Sequence, residues 1–227
     1  MGKLSFYQKL DLMDRWEEQP NLAQMKRYCP AFIRCKNGEV RLRTAQVLAN
    51  VEEESLLQLL YPLVNDPEEL VRVNACDSLG SSKSPASYQL LTMKLQDTPL
   101  VRSYVVLSLA DIALSLGEKL QEECFHLLLE HLQTEEAPGV TIGCYRSLYL
   151  LKREERYLDL LLRNLRHPDY RVRSAGFHLL GDMVTPSNCR KIKQAVLECS
   201  KQEESVAVSS AINNFKKEFE SKGEKIW

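Results

Sequence analysis

Apolar residues return every four positions along a stretch that the chain then repeats. Between Asn65 and Gly80, Val71, Ala75 and Leu79 fall on one stripe of a helix. Asp66-Pro67 just ahead of them is a turn pair that predicts a helix start: Asp accepts hydrogen bonds from the first free amides, and Pro fits the first turn, where its missing N–H is not needed. The small Ala75 at the centre of the stripe lets a neighbouring helix come close, and Gly80 closes the segment. The prediction is a buried inner helix.

The same pattern recurs. Val101-Arg102, Val105 and Leu109 form one copy, and Val140, Cys144 and Leu148 another. A further copy is Val172-Arg173, Gly176 and Leu180, and an earlier one is Val40-Arg41, Thr44 and Leu48. A last copy begins at Val206 and drifts out of register at Ser210 and Asn214. Successive Val positions are 31, 30, 39, 32 and 34 residues apart, a period that belongs to stacked helical hairpins. Leucine-rich stretches between the copies supply the outer helices, as at Leu56, Leu60 and Leu63 or Leu158, Leu161 and Leu165. Ahead of the repeats, Leu4 to Trp16 predicts a capping helix, and Leu22 to Cys35 a helix broken by Pro30. A final helix through Ile212, Phe215 and Phe219 runs into Lys222-Gly223-Glu224-Lys225-Ile226-Trp227.

A turn with Asp or Pro, then Val-Arg, a small residue and Leu-Gly resembles the HEAT-like repeat family named after phycobilisome lyases, over Val40 to Phe215. The resemblance implies an all-α fold, a right-handed α-α superhelix of about five helical hairpins with capping helices. It would make residues 1–227 a single domain, with a cap at 1–20, repeats at 21–215 and a terminal cap and tail at 216–227. It also implies a ladder between neighbouring turns, in which Asp66, Asp97 and Asp169 meet Arg72, Arg102 and Arg173. Arg41 extends the ladder, and Thr141 interrupts it.

With 44% hydrophobic residues in 227, the chain can bury a substantial core. Its net charge of −1 offers no overall attraction for nucleic acid or an anionic membrane. Lys152 to Lys193 holds ten basic residues against five acidic ones, but they spread over ladder and outer-helix positions rather than converging on one face. The amino terminus lacks the apolar core of a signal peptide, and no apolar run is read as reaching the roughly 20 residues of a membrane span. These features lead to the expectation of a cytoplasmic protein. The seven cysteines are an odd number without a Cys-x-x-Cys pair, and are read as reduced thiols.

Six residues beyond each repeat Val lies a slot that should turn away from the buried stripe: Gln46, Asp77, Leu107, Arg146, His178 and Ile212. The first five are the candidate partner-binding residues, with Asp77, Arg146 and His178 expected to be exposed and to line one surface. Structural positions look alike across repeats, whereas these differ, as a recognition surface would. Glu122, His126 and Glu130 share a helical face at a spacing that metals use, but the face reads as solvated. The reading is therefore a non-enzymatic scaffold that binds a protein or peptide on its inner helices, with no catalytic residue, cofactor, metal or membrane partner. The family resemblance implies an alternative, a bilin-lyase-like enzyme or cofactor-binding protein. A nucleic-acid binder is the third reading and the weakest.

Overall fold

The computed structural model describes residues 4–49 and 51–221, with side chains through Glu218. Met1 to Lys3, the Phe219 side chain and the run from Lys222 to Trp227 lie outside the described residues. Helices account for all the regular structure there. They group into two compact units, residues 1–124 and 125–227.

The first unit contains α1 (Phe6–Glu18), α2 (Leu22–Phe32), α3 (Gly38–Leu48), α4 (Glu54–Leu57), α5 (Glu69–Ser78), α6 (Pro85–Thr92) and α7 (Pro99–Leu116). Helices α1, α3, α5 and α7 pack side by side in that order and form the inner layer. On the other side, α2, α4 and α6 form the outer layer, and α4 and α6 tighten into 3-10 turns at Gln58–Asn65 and Met93–Gln96. Helix α8 (Glu118–Thr134) leads from the first unit into the second. There α9 (Pro138–Lys152), α11 (Tyr170–Leu180) and α13 (Val206–Ser221) pack as inner helices, with α10 (Glu155–Asn164) and α12 (Cys189–Ser200) as outer ones. Each unit is an all-α, solenoid-like stack of helical hairpins.

Local chemistry sets the helix starts. Ser5 and Gln8 make a reciprocal capping box on α1, and Asn21 and Asn37 cap α2 and α3. The stripe residues Val71, Ala75 and Leu79 are fully buried, as are Val101, Val105 and Leu109. Helix α2 runs through Pro30 rather than breaking there, because Pro30 stands near its end and Met25, Cys29 and Phe32 bury its face. Gly80 does not terminate α5 through a left-handed turn. It sits in a 3-10 turn, where a Cβ would lie 3.0 Å from Ser108 Oγ and 3.3 Å from Ser108 Cα, so what it provides is close approach to α7.

Two further expectations, on α13 and α7, also need correction. Val206, taken as the last repeat Val, is 84% exposed, and the buried stripe of α13 is Val208, Ala211, Ile212 and Phe215. The register there starts at Val208, which makes Ile212 a core residue four positions on instead of a surface residue six positions on. The second correction concerns α7. Its 18 residues have a mean hydropathy of 1.5, so by length and composition alone it is apolar enough to cross a membrane. Here its buried face packs against α5 and α6.

Candidate functional site

The turns hold the inner helices in register. Arg41 donates from Nε to Asp66 Oδ2 at 2.6 Å and from Nη2 to Asp66 Oδ1 at 2.8 Å, and its Nη1 reaches the Cys35 carbonyl at 2.8 Å. Arg72 repeats the arrangement one hairpin on, donating from Nη2 to Asp97 Oδ1 at 2.9 Å and from Nη1 to the Asp66 carbonyl at 2.9 Å. Arg102 donates to the Asp97 carbonyl at 2.8 Å. In the second unit Arg173 holds Glu203 with two bonds of 2.8 Å and the His167 carbonyl with a third. Arg41, Arg72 and Arg173 each pair with the acid of the following turn while bracing their own, and Arg102 braces its own.

Two acids differ from expectation. Asp66 does not cap α5, whose N-cap is Glu68; it accepts from the Glu68 amide at 3.0 Å and bridges to Arg41. Asp169 lies outside the side-chain pairing and caps α11 by accepting from the Arg171 amide at 2.8 Å. Glu203 takes the ladder position instead. A turn acid three residues ahead of Val206 was the available signal, but the late register slip hid it.

These pairings tune the carboxylates. Burial pushes the Asp97 carboxyl up, but Arg72, Lys94 and the Thr98 amide outweigh it and hold the group at about 2. Asp66 is lowered in the same way, with burial opposed by Arg41 and the Glu68 amide, and Glu203 is lowered chiefly by Arg173. A depressed folded pKa adds stability that is complete above the unfolded value of about 4 and lost as pH falls through the folded value. The melting temperature should therefore hold steady down to about pH 5 and fall steeply between about pH 4 and pH 2. Asp97→Asn should flatten that acid limb, and an unchanged slope in this variant would show that the Asp97 pair contributes nothing.

The inner-helix surface is the candidate binding face. In the first unit Gln46, Asp77 and Leu107 hold equivalent positions on α3, α5 and α7, which pack consecutively. Gln46 is half-buried and accepts from Arg43 at 3.0 Å; Arg43 also pairs with Asp14 and, at 3.0 Å, with Glu17 of α1. Asp77 is exposed and Leu107 half-buried. Surrounding protein nevertheless displaces enough water to raise the Asp77 carboxyl, and the nearby Asp111 raises it further. Tyr104 is raised too, by burial first and Asp77 second. Sequence reading missed Arg43, Tyr104 and Asp111, although three and ten residues beyond the repeat Val fall on the same face as six.

In the second unit His178 on α11 is exposed, but Arg146 on α9 is not. Only 7% of Arg146 meets solvent, and Asp182 Oδ2 accepts from its Nε at 3.0 Å and its Nη2 at 2.6 Å. Asp182, ten residues beyond Val172, covers the guanidinium. Charge reversal at Arg146 therefore strands Asp182 and costs stability, so the residue is a poor probe of binding.

Glu122, His126 and Glu130 are exposed along α8, and among the described residues no three His, Cys, Asp or Glu side chains gather as a metal site. His131 Nε2 lies 3.1 Å from the buried Glu135 carboxylate, though not aligned as a hydrogen bond. All seven cysteines are free thiols. Burial pushes Cys29, Cys76 and Cys124 up to about 12, which suits inert core positions.

A family model described as HEAT repeats matches residues 27–110, the span from within α2 into α7. Fold and match together show a HEAT-like helical-repeat fold. This fold is similar to that of a chain in the complex of CpcE and CpcF of phycocyanin lyase from Nostoc sp. PCC7120. The two chains share 17% identity with a TM-score of 0.62 over 93% of this chain and 87% of that one. An engineered protein also aligns, at 13% identity and a TM-score of 0.41 over 85% of this chain and 95% of its own, a likeness too weak to argue from. No curated protein matches the chain.

Proposed function

We propose that this chain is a helical-repeat scaffold that binds a protein partner through its inner helices. What supports this reading is the contrast along those helices: the stripe residues are uniformly buried, while equivalent surface positions carry Gln46, Asp77, Leu107 and His178. A packing surface repeats its chemistry, and a recognition surface varies it.

The fold neighbour favours a more specific form over a generic scaffold, a role as one member of a bilin-lyase-like complex. Both forms are tested together. The full chain and an Asp77→Lys, His178→Glu variant are used to capture partners from the cells of origin. The wild-type chain, alone and with a captured partner, is also incubated with free phycobilin and an apo-phycocyanin subunit. A partner retained by the wild type and lost by the folded variant supports the scaffold. Chromophore that stays on the subunit through a denaturing gel, only when the chain and its partner are present, supports the lyase-like form. A chain that captures nothing, or whose capture ignores both substitutions, overturns the inner-helix reading.

A further inference from the structure

In the first unit a lysine of α1 meets a cysteine of the turn ahead of α3. Lys9 donates from Nζ to Cys35 Sγ at 3.6 Å, and the same ammonium lies 5.9 Å from the centre of the Phe32 ring. Both residues are half-buried. Among the described residues no carboxylate pairs with Lys9, so its ammonium is held by a sulfur and a ring face rather than by an anion. The backbone at Cys35 is fixed as well: Arg41 Nη1 holds the Cys35 carbonyl at 2.8 Å and the Lys36 carbonyl at 3.2 Å. Arg34 and Lys36, on either side of Cys35 in the chain, are exposed cations.

The other thiols differ. Cys29, Cys76, Cys124 and Cys144 are buried, burial pushes Cys199 up, and Cys189 turns its S–H to the Pro186 carbonyl at 3.3 Å. Reactive thiols sit in electropositive, partly exposed surroundings, whereas buried ones are inert. Cys35 meets both conditions and has an amine already at its sulfur. We propose that Cys35 is a peroxide-sensitive thiol whose oxidised form is captured by Lys9, joining the two side chains through a sulfur–nitrogen bond. In the first step the Cys35 sulfur attacks one oxygen of hydrogen peroxide and the O–O bond breaks. Sulfur gives up two electrons, and the thiol and peroxide become a sulfenic acid and water. In the second step Lys9, having released one ammonium proton to solvent, attacks that sulfur with its nitrogen lone pair. The S–N bond forms, the S–O bond breaks, and the departing hydroxide takes a second proton from nitrogen and leaves as water. Sulfenic acids condense with backbone nitrogen by the same course. The link closes a loop between residues 26 apart that contains all of α2, and so fastens α1 to the turn ahead of α3. Closing such a loop restricts the unfolded chain and stabilises the folded one.

The full chain is treated with hydrogen peroxide under native conditions and mapped by mass spectrometry without reduction. The peptides bearing Lys9 and Cys35 should appear joined, lighter than their sum by two hydrogen atoms, and should separate again with a thiol reductant. The melting temperature should rise by about 10 °C on linking. Dimedone, which traps sulfenic acids, should label Cys35 at least about tenfold faster than Cys189 when added with the peroxide. Lys9→Arg keeps the charge but removes the amine, so Cys35 should be labelled and stay unlinked, while Cys35→Ser should lose label and link alike. Both variants should melt like the wild type before oxidation, since each is a conservative change at a half-buried position. Equal labelling of Cys35 and Cys189 overturns the sensitive thiol. A Cys35 disulfide in place of the link, or a link that retains one oxygen atom, overturns the sulfur–nitrogen product. A link that forms equally well in urea overturns the part played by the folded geometry, and an unchanged melting temperature in the linked chain overturns the fastening of α1.

Discussion

Trp16→Ala is expected to destabilise the first unit by about 3–5 kcal/mol, the range for removing a fully buried aromatic side chain. Trp16 is 1% exposed, its ring centroid lies 6.2 Å from that of Phe32, and its Nε1 donates to Gln24 Oε1 at 3.1 Å. It ties α1 to α2 while α1 packs on α3 in the manner of the other inner helices. Helix α1 is thus an integral inner helix, more than a detachable cap over an apolar end. Thermal melting should drop by about 10 °C or more. Hydrogen exchange should quicken first in Phe6–Glu18. A shift of only a degree or two would show that α1 contributes little to the unit.

Arg41→Met should cost about 3 kcal/mol, the low end for breaking a buried ion pair, because the turn lies at the edge of the fold. The side chains of Arg41 and Asp66 are 10% and 5% exposed, so the substitution leaves a carboxylate that is poorly hydrated and stripped of its main partner. It also frees the Cys35 carbonyl, which Arg41 otherwise engages. Adding Asp66→Leu should recover part of the loss by removing the stranded charge, though not all of it, since Asp66 also holds the Glu68 amide. Denaturant unfolding of both single variants and the double variant measures the coupling. Strict additivity would mean that the pair does not set the register.

The repeat pattern was legible because it rests on local rules. A four-residue apolar step, a turn acid, a proline and a small residue are each readable in one window, and together they place α3, α5, α7, α9 and α11 within a few residues. The candidate face was legible only in part. Asp77 and His178 are exposed, as helical geometry predicts, yet Arg146 at the same position is covered, because Asp182 arrives from the next helix. The pattern around Arg146 holds no sign of this.

What the sequence by itself determined is the helical period, the buried stripe and the turn chemistry, all set by neighbours within about a dozen residues. Tertiary structure alone decided which acid each arginine meets. Asp66 lies 25 residues beyond Arg41 and Glu203 lies 30 beyond Arg173, distances bridged by the rise and rotation between adjacent hairpins. It also decided the register of α13, where burying Val208 and Ile212 prevailed over the spacing that pointed to Val206. Packing also decided the exposure of α7: Leu100, Leu107 and Leu114 look like core residues in the chain, yet Leu100 and Leu114 are exposed and Leu107 is half-buried.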